Sequence, residues 1–102
     1  MFMKKVMLIC SAGMSTSLLV SKMQKAAAAR GIEIEIWAVG TAGFKNELAK
    51  PDVILLGPQV RFMKDEVAKL AAPKPVEVID MRSYGKVDGE GVLNQALKLI
   101  GA

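Results

Sequence analysis

Two short apolar runs, Val6–Ile9 and Val53–Leu56, carry no polar alternation. Runs of this length suit strands that are covered on both faces, as in a parallel sheet. They predict a first strand over Lys4–Ile9 and a third over Asp52–Leu56. Between them, Ile32, Ile34 and Ile36 alternate with Glu33, Glu35 and Trp37. That period of two, with one polar face, predicts a second strand at a sheet edge. Val76–Ile79 supplies a fourth strand.

The segments between these runs have helical spacing. Over Ser15–Arg30, Leu18, Leu19, Met23, Ala26 and Ala27 share one face, with Lys22, Lys25 and Arg30 on the others. Arg30-Gly31 is a helix stop, a cation in the last turn and then glycine. Gly40–Gly43 reads as a loop, and Phe44–Ala49 as a short helix that closes before Pro51. After the Gly57-Pro58 break, Val60–Leu70 predicts a second long helix with Val60, Met63, Val67, Leu70 and Ala71 inward. Pro73-Lys74-Pro75 ends it. Asp80–Lys86 reads as a loop or a helical turn. A final helix follows Asp88-Gly89-Glu90-Gly91, with Val92, Leu93, Ala96, Leu97 and Ile100 toward the core.

Strand and helix thus alternate four times. The pattern predicts a single three-layer α/β domain over residues 1–102, with a four-stranded parallel sheet and helices on both faces. The simplest strand order is 2-1-3-4, flavodoxin-like. In such sheets the ligand crevice lies beyond the carboxyl ends of the strands, where the order reverses. Here that point falls between the first and third strands, and the loops at its rim are Cys10–Thr16, Gly57–Gln59 and Asp80–Tyr84.

Composition narrows the chemistry. The chain has one cysteine, Cys10, and no histidine. An intramolecular disulfide, a cysteine-based metal site and any histidine-dependent nucleophile are therefore excluded. No metal and no cofactor are expected. Fourteen basic residues stand against ten acidic ones and are scattered from Lys4 to Lys98. With five aromatics and no basic cluster, nucleic-acid binding has no support, and the mild positive charge suits an anionic ligand or an acidic partner face. The apolar run after Lys4-Lys5 is shorter than the roughly 7–15 residues of an export signal. The expectation is a cytoplasmic protein with a reduced thiol and no direct membrane insertion. Nothing points to an oligomer, so a monomer is expected.

The thiol loop itself is Cys10-Ser11-Ala12-Gly13-Met14-Ser15-Thr16-Ser17. A turn that closes into a helix N-terminus presents unpaired N–H groups and the positive end of a dipole, which binds phosphate without a cationic side chain. Ala12, Gly13 and Met14 let the backbone approach an oxyanion, while Ser11, Ser15, Thr16 and Ser17 add hydroxyls, one of which can instead cap the helix. The same N–H groups favour the thiolate of Cys10. The bland alternative is a small core cysteine at a strand end, with the hydroxyls as turn formers. No Gly-x-x-x-x-Gly-Lys-Ser/Thr pattern is present, which argues against nucleotide hydrolysis.

The run Leu8–Ser17 resembles the phosphocysteine loop of the IIB components of the bacterial sugar phosphotransferase system (PTS), in the lactose/cellobiose group. The resemblance continues through Leu55-Leu56-Gly57-Pro58-Gln59-Val60, Pro75–Asp80 and Tyr84-Gly85-Lys86-Val87-Asp88-Gly89. It covers nearly the whole length and is nearest the cellobiose/diacetylchitobiose type. It implies that Cys10 accepts a phosphoryl group from a phosphohistidine of a IIA partner. It further implies that Cys10 passes the group to a disaccharide held by a membrane IIC partner. The backbone from Ser11 to Thr16 (Ser11, Ala12, Gly13, Met14, Ser15, Thr16) would cradle the phosphoryl oxygens, with Ser11, Ser15 and Thr16 as hydroxyl contacts.

Two other readings stay open at this level. One is a small cysteine-dependent phosphatase or arsenate-reductase-like enzyme; the other is a non-catalytic anion-binding module. Tyrosine phosphatases use a Cys-x5-Arg loop, but the sixth residue after Cys10 is Thr16. Without that guanidinium the main cationic clamp on a transferring phosphoryl group is missing, which favours a carrier. Around the site, Gln59 is either a phosphoryl or partner contact or a plain helix-start residue. Asp80 reads as a turn cap before an orienting group. Tyr84 either packs, meets a partner or touches the phosphoryl group. Arg82 and Lys86 either favour a phosphorylated state electrostatically or, by default, are solvated surface; Met14 reads as an apolar partner contact, and Trp37 as a packing residue of the edge strand. The sugar is left open.

Overall fold

The computed structural model describes residues 3–11 and 14–101. Four strands, β1 (Lys4–Ile9), β2 (Ile34–Val39), β3 (Val53–Leu56) and β4 (Val76–Val78), form one parallel sheet in the order β2-β1-β3-β4. The expected topology is therefore the observed one. Helices α1 (Met14–Ala29), α2 (Lys64–Ala71), α3 (Met81–Gly85) and α4 (Gly89–Ile100) complete the fold with two 3-10 segments, Phe44–Glu47 and Pro58–Met63.

The two central strands, β1 and β3, divide their side chains between two cores, as a period of two requires. Val6, Leu8, Val53 and Leu55 meet Leu19, Met23 and Ala27 of α1 and Val92, Leu93 and Ala96 of α4. Met7, Ile9, Ile54 and Leu56 meet Phe44, Val60, and Val67 and Ala71 of α2 on the other face. Trp37 packs against this second core half-buried, as an edge-strand residue should.

Four differences from the sequence reading have physical causes. The second strand starts at Ile34 because Ile32 belongs to the end of α1. Ile32 N–H donates to the Ala27 carbonyl at 2.9 Å and Gly31 N–H to that of Ala28 at 3.1 Å, with Gly31 at φ 68°. That is a Schellman cap, with Ile32 as its trailing apolar residue. Asp52 lies outside β3 and instead braces β1: its carboxylate accepts from Lys5 N–H at 2.8 Å, and its own N–H donates to the Lys5 carbonyl at 2.8 Å. The long helix over Val60–Leu70 is in fact the 3-10 segment Pro58–Met63 followed by α2, because Val60 sits at φ −118°, ψ 22° and interrupts the helical path. Leu18 and Leu70 are each 49% exposed, not core residues; they stand at the margins of stripes whose centres are Leu19–Met23 and Val67–Ala71.

Gly89 joins the two helices that cover the first core. A Cβ placed there would lie 2.5 Å from the Lys22 carbonyl carbon and 2.7 Å from Met23 N. Only glycine lets α4 begin this close to the backbone of α1. Asp88 caps the same helix, accepting from Gly91 N–H at 3.0 Å.

Candidate functional site

Cys10 continues the alternation of β1. It falls on the same face as Val6 and Leu8, in the core beneath α1 and α4, and is only 2% exposed. Its N–H donates to the Val39 carbonyl of β2 at 3.1 Å, so its backbone is still held by the sheet. On the other side, the β1–β3 register pairs Ile9 with Leu56 and therefore sets Gly57 beside Cys10. Gly57 N–H donates to the Ile9 carbonyl at 2.9 Å. The sulfur is thus fixed at the carboxyl end of the two central strands, where the strand order reverses.

Gly57 lies beside the sulfur; the sequence reading set it in the rim loop Gly57–Gln59 as a strand breaker and gave it no role of its own. Its φ of −61° and ψ of 146° are open to any residue, so conformation does not demand glycine. Space does: a Cβ would lie 3.0 Å from Cys10 Sγ and 2.6 Å from Gln59 Oε1. The bare Cα makes room for the sulfur and for the Gln59 amide on one side of the strand end. The signal in the sequence is a glycine where a parallel register sets it beside the cysteine, and it becomes legible once the register is known.

Gln59 and Tyr84, both expected at the rim, are brought together. Gln59 Nε2 donates to the Tyr84 hydroxyl at 2.8 Å. Tyr84 comes from α3, and its ring is half-buried against the first core. Asp80 is a cap: its carboxylate accepts from Ser83 N–H at 3.1 Å and starts α3. Asp80 is held in turn by Gln95 of α4. Gln95 Oε1 accepts from Asp80 N–H at 2.9 Å while Gln95 Nε2 donates to the Val78 carbonyl at 2.8 Å. Gln95 therefore ties the carboxyl end of β4 to α4 and sets the segment that carries Tyr84. The sequence reading missed it, since a glutamine on a helix has no pattern of its own.

Among the other expected contacts, Ser11 is exposed beside Cys10, and Ala12 and Gly13 lie outside the described residues. Met14 and Ser15 open α1, and Thr16, in its first turn, is buried at 6% exposure. The N-terminus of a 16-residue helix thus follows Cys10 within four residues. Exposed Arg61, Arg82 and Lys86 lie on the segments that leave β3 and β4. Among the described residues none of the three is in an ion pair, so their charge is free to act on an anion or an acidic surface. Also among the described residues, no group of three His, Cys, Asp or Glu side chains could share a metal ion. A cleft of about 440 Å³ between α1 and the start of α4 is lined by Lys22, Ala26, Lys86, Val87, Asp88, Gly89 and Glu90, away from Cys10 and Gln59.

Over residues 5–95 the chain matches the model of the family described as PTS system, Lactose/Cellobiose specific IIB subunit. The chain belongs to the lactose/cellobiose IIB family. It is 57% identical over 104 residues to the galactose-specific EIIB component of Lactococcus lactis subsp. cremoris MG1363, covering 95% of this chain and 96% of that protein. It is equally similar, at 57% over 104 residues with the same coverage, to the cellobiose-specific EIIB component of Lactococcus lactis subsp. lactis IL1403. The solution structure of the cellobiose-specific IIB component from Borrelia burgdorferi superposes with a TM-score of 0.80 at 35% identity, over 98% of this chain and 94% of that one. IIB proteins are phosphotransferases in sugar uptake, and this chain is a IIB component for lactose/cellobiose-type sugars. As a IIB protein it works with IIA and IIC components.

Proposed function

We propose that Cys10 is the phosphoryl acceptor of this IIB protein. It receives the group from a phosphohistidine of the IIA component and hands it to a disaccharide of the cellobiose, chitobiose or lactose type on the membrane IIC component. The observation that carries this reading is the placement of Cys10: held at the strand-order reversal, with glycine beside its sulfur and the start of α1 four residues on.

Each transfer balances simply. In the first, the Cys10 thiolate attacks phosphorus, the S–P bond forms as the P–N bond of the donor breaks, and the freed imidazole takes up a proton. In the second, a sugar hydroxyl attacks, the O–P bond forms, the S–P bond breaks, and the hydroxyl proton is released. The thiolate is a good leaving group, so no acid is needed to expel it. Backbone N–H groups from Ser11 to Thr16 spread charge over the equatorial oxygens and hold them in line. Thr16, six residues after Cys10, brings no guanidinium to the reaction, which suits a carrier that must not hydrolyse its own adduct.

The partner surface follows from the same rim. Phe62, 79% exposed, and Met81, 63% exposed, stand on the segments that leave β3 and β4, with Leu18 on the second turn of α1. Exposed aromatic and methionine side chains beside Arg61 and Arg82 suit a docking face for an acidic partner. No helix among the described residues is long and apolar enough to cross a membrane. The protein is read as working at the cytoplasmic face, where the IIA donor is.

Intact-mass measurement after incubation with phosphorylated IIA component tests the reading. The wild-type chain gains one phosphoryl group and Cys10→Ser gains none. A wild-type chain that never gains that mass overturns it. Hydrolysis of an aryl phosphate by the isolated protein, lost in Cys10→Ser, would make it a phosphatase instead.

A further inference from the structure

We infer that Gln59 turns its side-chain amide according to the state of Cys10, with the Tyr84 hydroxyl as pivot, and contacts the phosphoryl group directly. The inference rests on the reading of Cys10 as the phosphorylated residue.

With Cys10 a free thiol, the two edges of the amide are assigned. Nε2 donates to the Tyr84 hydroxyl at 2.8 Å. Oε1 is turned to the bare Cα of Gly57, the same point that Cys10 Sγ faces. The accepting edge is thus the one on the side of the sulfur. That edge is wrong for a phosphocysteine. A phosphoryl group near neutral pH carries about −1.5 to −2 charge and presents three strong acceptor oxygens. Its oxygens would meet the Oε1 lone pairs with no proton between them.

A half-turn about the last torsion of the glutamine side chain exchanges the edges, and such terminal torsions are broad and nearly two-fold. The half-turn offers Nε2 to the phosphoryl oxygens and Oε1 to Tyr84. Tyr84 makes this possible without loss, because a phenol hydroxyl accepts in one state and donates in the other. Its ring is half-buried against the core beneath α1 and α4, so the pivot stays in place. Gln59 itself is exposed and free to turn, and Gly57 keeps a methyl out of its path. In this arrangement Gln59 contacts the phosphoryl group, and Tyr84 is a positioning residue that acts through it.

The two variants that separate these roles are Gln59→Glu, which makes both edges acceptors when ionised, and Tyr84→Phe, which keeps the ring and removes the pivot. The experiment follows the side-chain amide signals of the three glutamines, Gln24, Gln59 and Gln95, in ¹⁵N-labelled protein before and after phosphorylation by the IIA component. Intact mass monitors the adduct. The Gln59 pair is identified by its loss in Gln59→Glu. It should shift on phosphorylation by more than the Gln24 and Gln95 pairs, and the shift should shrink in Tyr84→Phe. The equilibrium ratio of phosphorylated to free IIB should fall about tenfold in Gln59→Glu, the factor that one lost hydrogen bond to a charged group brings. A wild-type chain that gains the phosphoryl mass while its Gln59 pair stays still, or a Gln59→Glu ratio equal to wild type, overturns this inference and leaves the reading of Cys10 standing. Absence of the mass overturns both.

Discussion

The Cα of Gly57 faces the sulfur of Cys10, and a methyl group placed on it would lie 3.0 Å from Sγ. The closeness follows from the parallel register of β1 and β3, which sets the two residues side by side one step beyond Ile9 and Leu56. Replacing Gly57 by alanine therefore tests access to the sulfur more than it tests the fold. The backbone angles accept alanine, and the other close atoms, Gln59 Oε1 and Cδ, belong to the end of an exposed side chain. Gly57→Ala should cost no more than about 1–3 kcal/mol, the usual range for adding a methyl to a packed place. Alkylation of Cys10 by iodoacetamide and its phosphorylation by IIA should both slow severalfold. Unchanged rates of both would show that Gly57 does not shape the site.

Gly89 makes the opposite demand. The atoms a Cβ would strike there are backbone atoms of Lys22 and Met23, which cannot turn aside. Alanine within a helix gains up to about 1 kcal/mol over glycine from backbone entropy alone. The collision of α4 with α1 should outweigh that gain, so Gly89→Ala is expected to lower the urea midpoint. Gly91→Ala provides the contrast, since its nearest contacts are the side-chain ends Asp88 Oδ2 at 2.6 Å and Ser83 Oγ at 2.9 Å. It should be the milder of the two. If Gly91→Ala is the more damaging, the helix contact is not what Gly89 serves.

The contrast between these glycines marks what pattern alone can and cannot convey. Val6–Ile9 and Val53–Leu56 announce themselves because strands covered on both faces have no polar positions, and four strand–helix alternations then leave few topologies. The place of Cys10 at the crevice followed from that topology. Gly57 and Gly89 look alike in sequence, yet one clears a sulfur and the other a helix backbone, and only the register and the helix packing tell them apart. Ile32 was misplaced because a Schellman cap and a strand start both ask for an apolar residue after glycine. Leu18 and Leu70 were misplaced because helical spacing marks the direction of a stripe but not its width. Of the loop contacts, the expectations for Ala12 and Gly13 lie outside the described residues.

Gln95 should matter for stability beyond its half-buried position. Its amide satisfies the Asp80 N–H and the Val78 carbonyl together, and its Nε2 also reaches Glu77 Oε1 at 3.3 Å. Gln95→Ala strips both backbone groups of their partner and should cost about 1–2 kcal/mol by denaturant unfolding. Gln95→Glu keeps the acceptor for Asp80 but loses the donor to Val78 and sets a second carboxylate against Glu77. At neutral pH it should destabilise at least as much as alanine. As pH falls through the carboxylate range, protonation removes the repulsion and restores a donor, so the gap to wild type should narrow. A gap that widens on acidification would refute the like-charge contact.

Phe62 should separate docking from folding. It is 79% exposed, three residues after Gln59, in the segment that leaves β3 at the rim of the site. Because the side chain packs little within the chain, Phe62→Ser should change unfolding free energy by no more than about 0.5 kcal/mol. Large aromatics at the centre of an interface commonly carry 2 kcal/mol or more of binding, which corresponds to roughly thirtyfold in affinity. In phosphoryl transfer from IIA, the expected result is a KM for IIA raised tenfold or more with kcat nearly unchanged, since Phe62 is largely given to solvent while Cys10 is buried. Met81→Ser, from the segment that leaves β4, should act in the same direction and less strongly. A fall in kcat with KM unaltered would place Phe62 in the chemistry. Unaltered kinetics in both variants would move the docking face elsewhere on the protein.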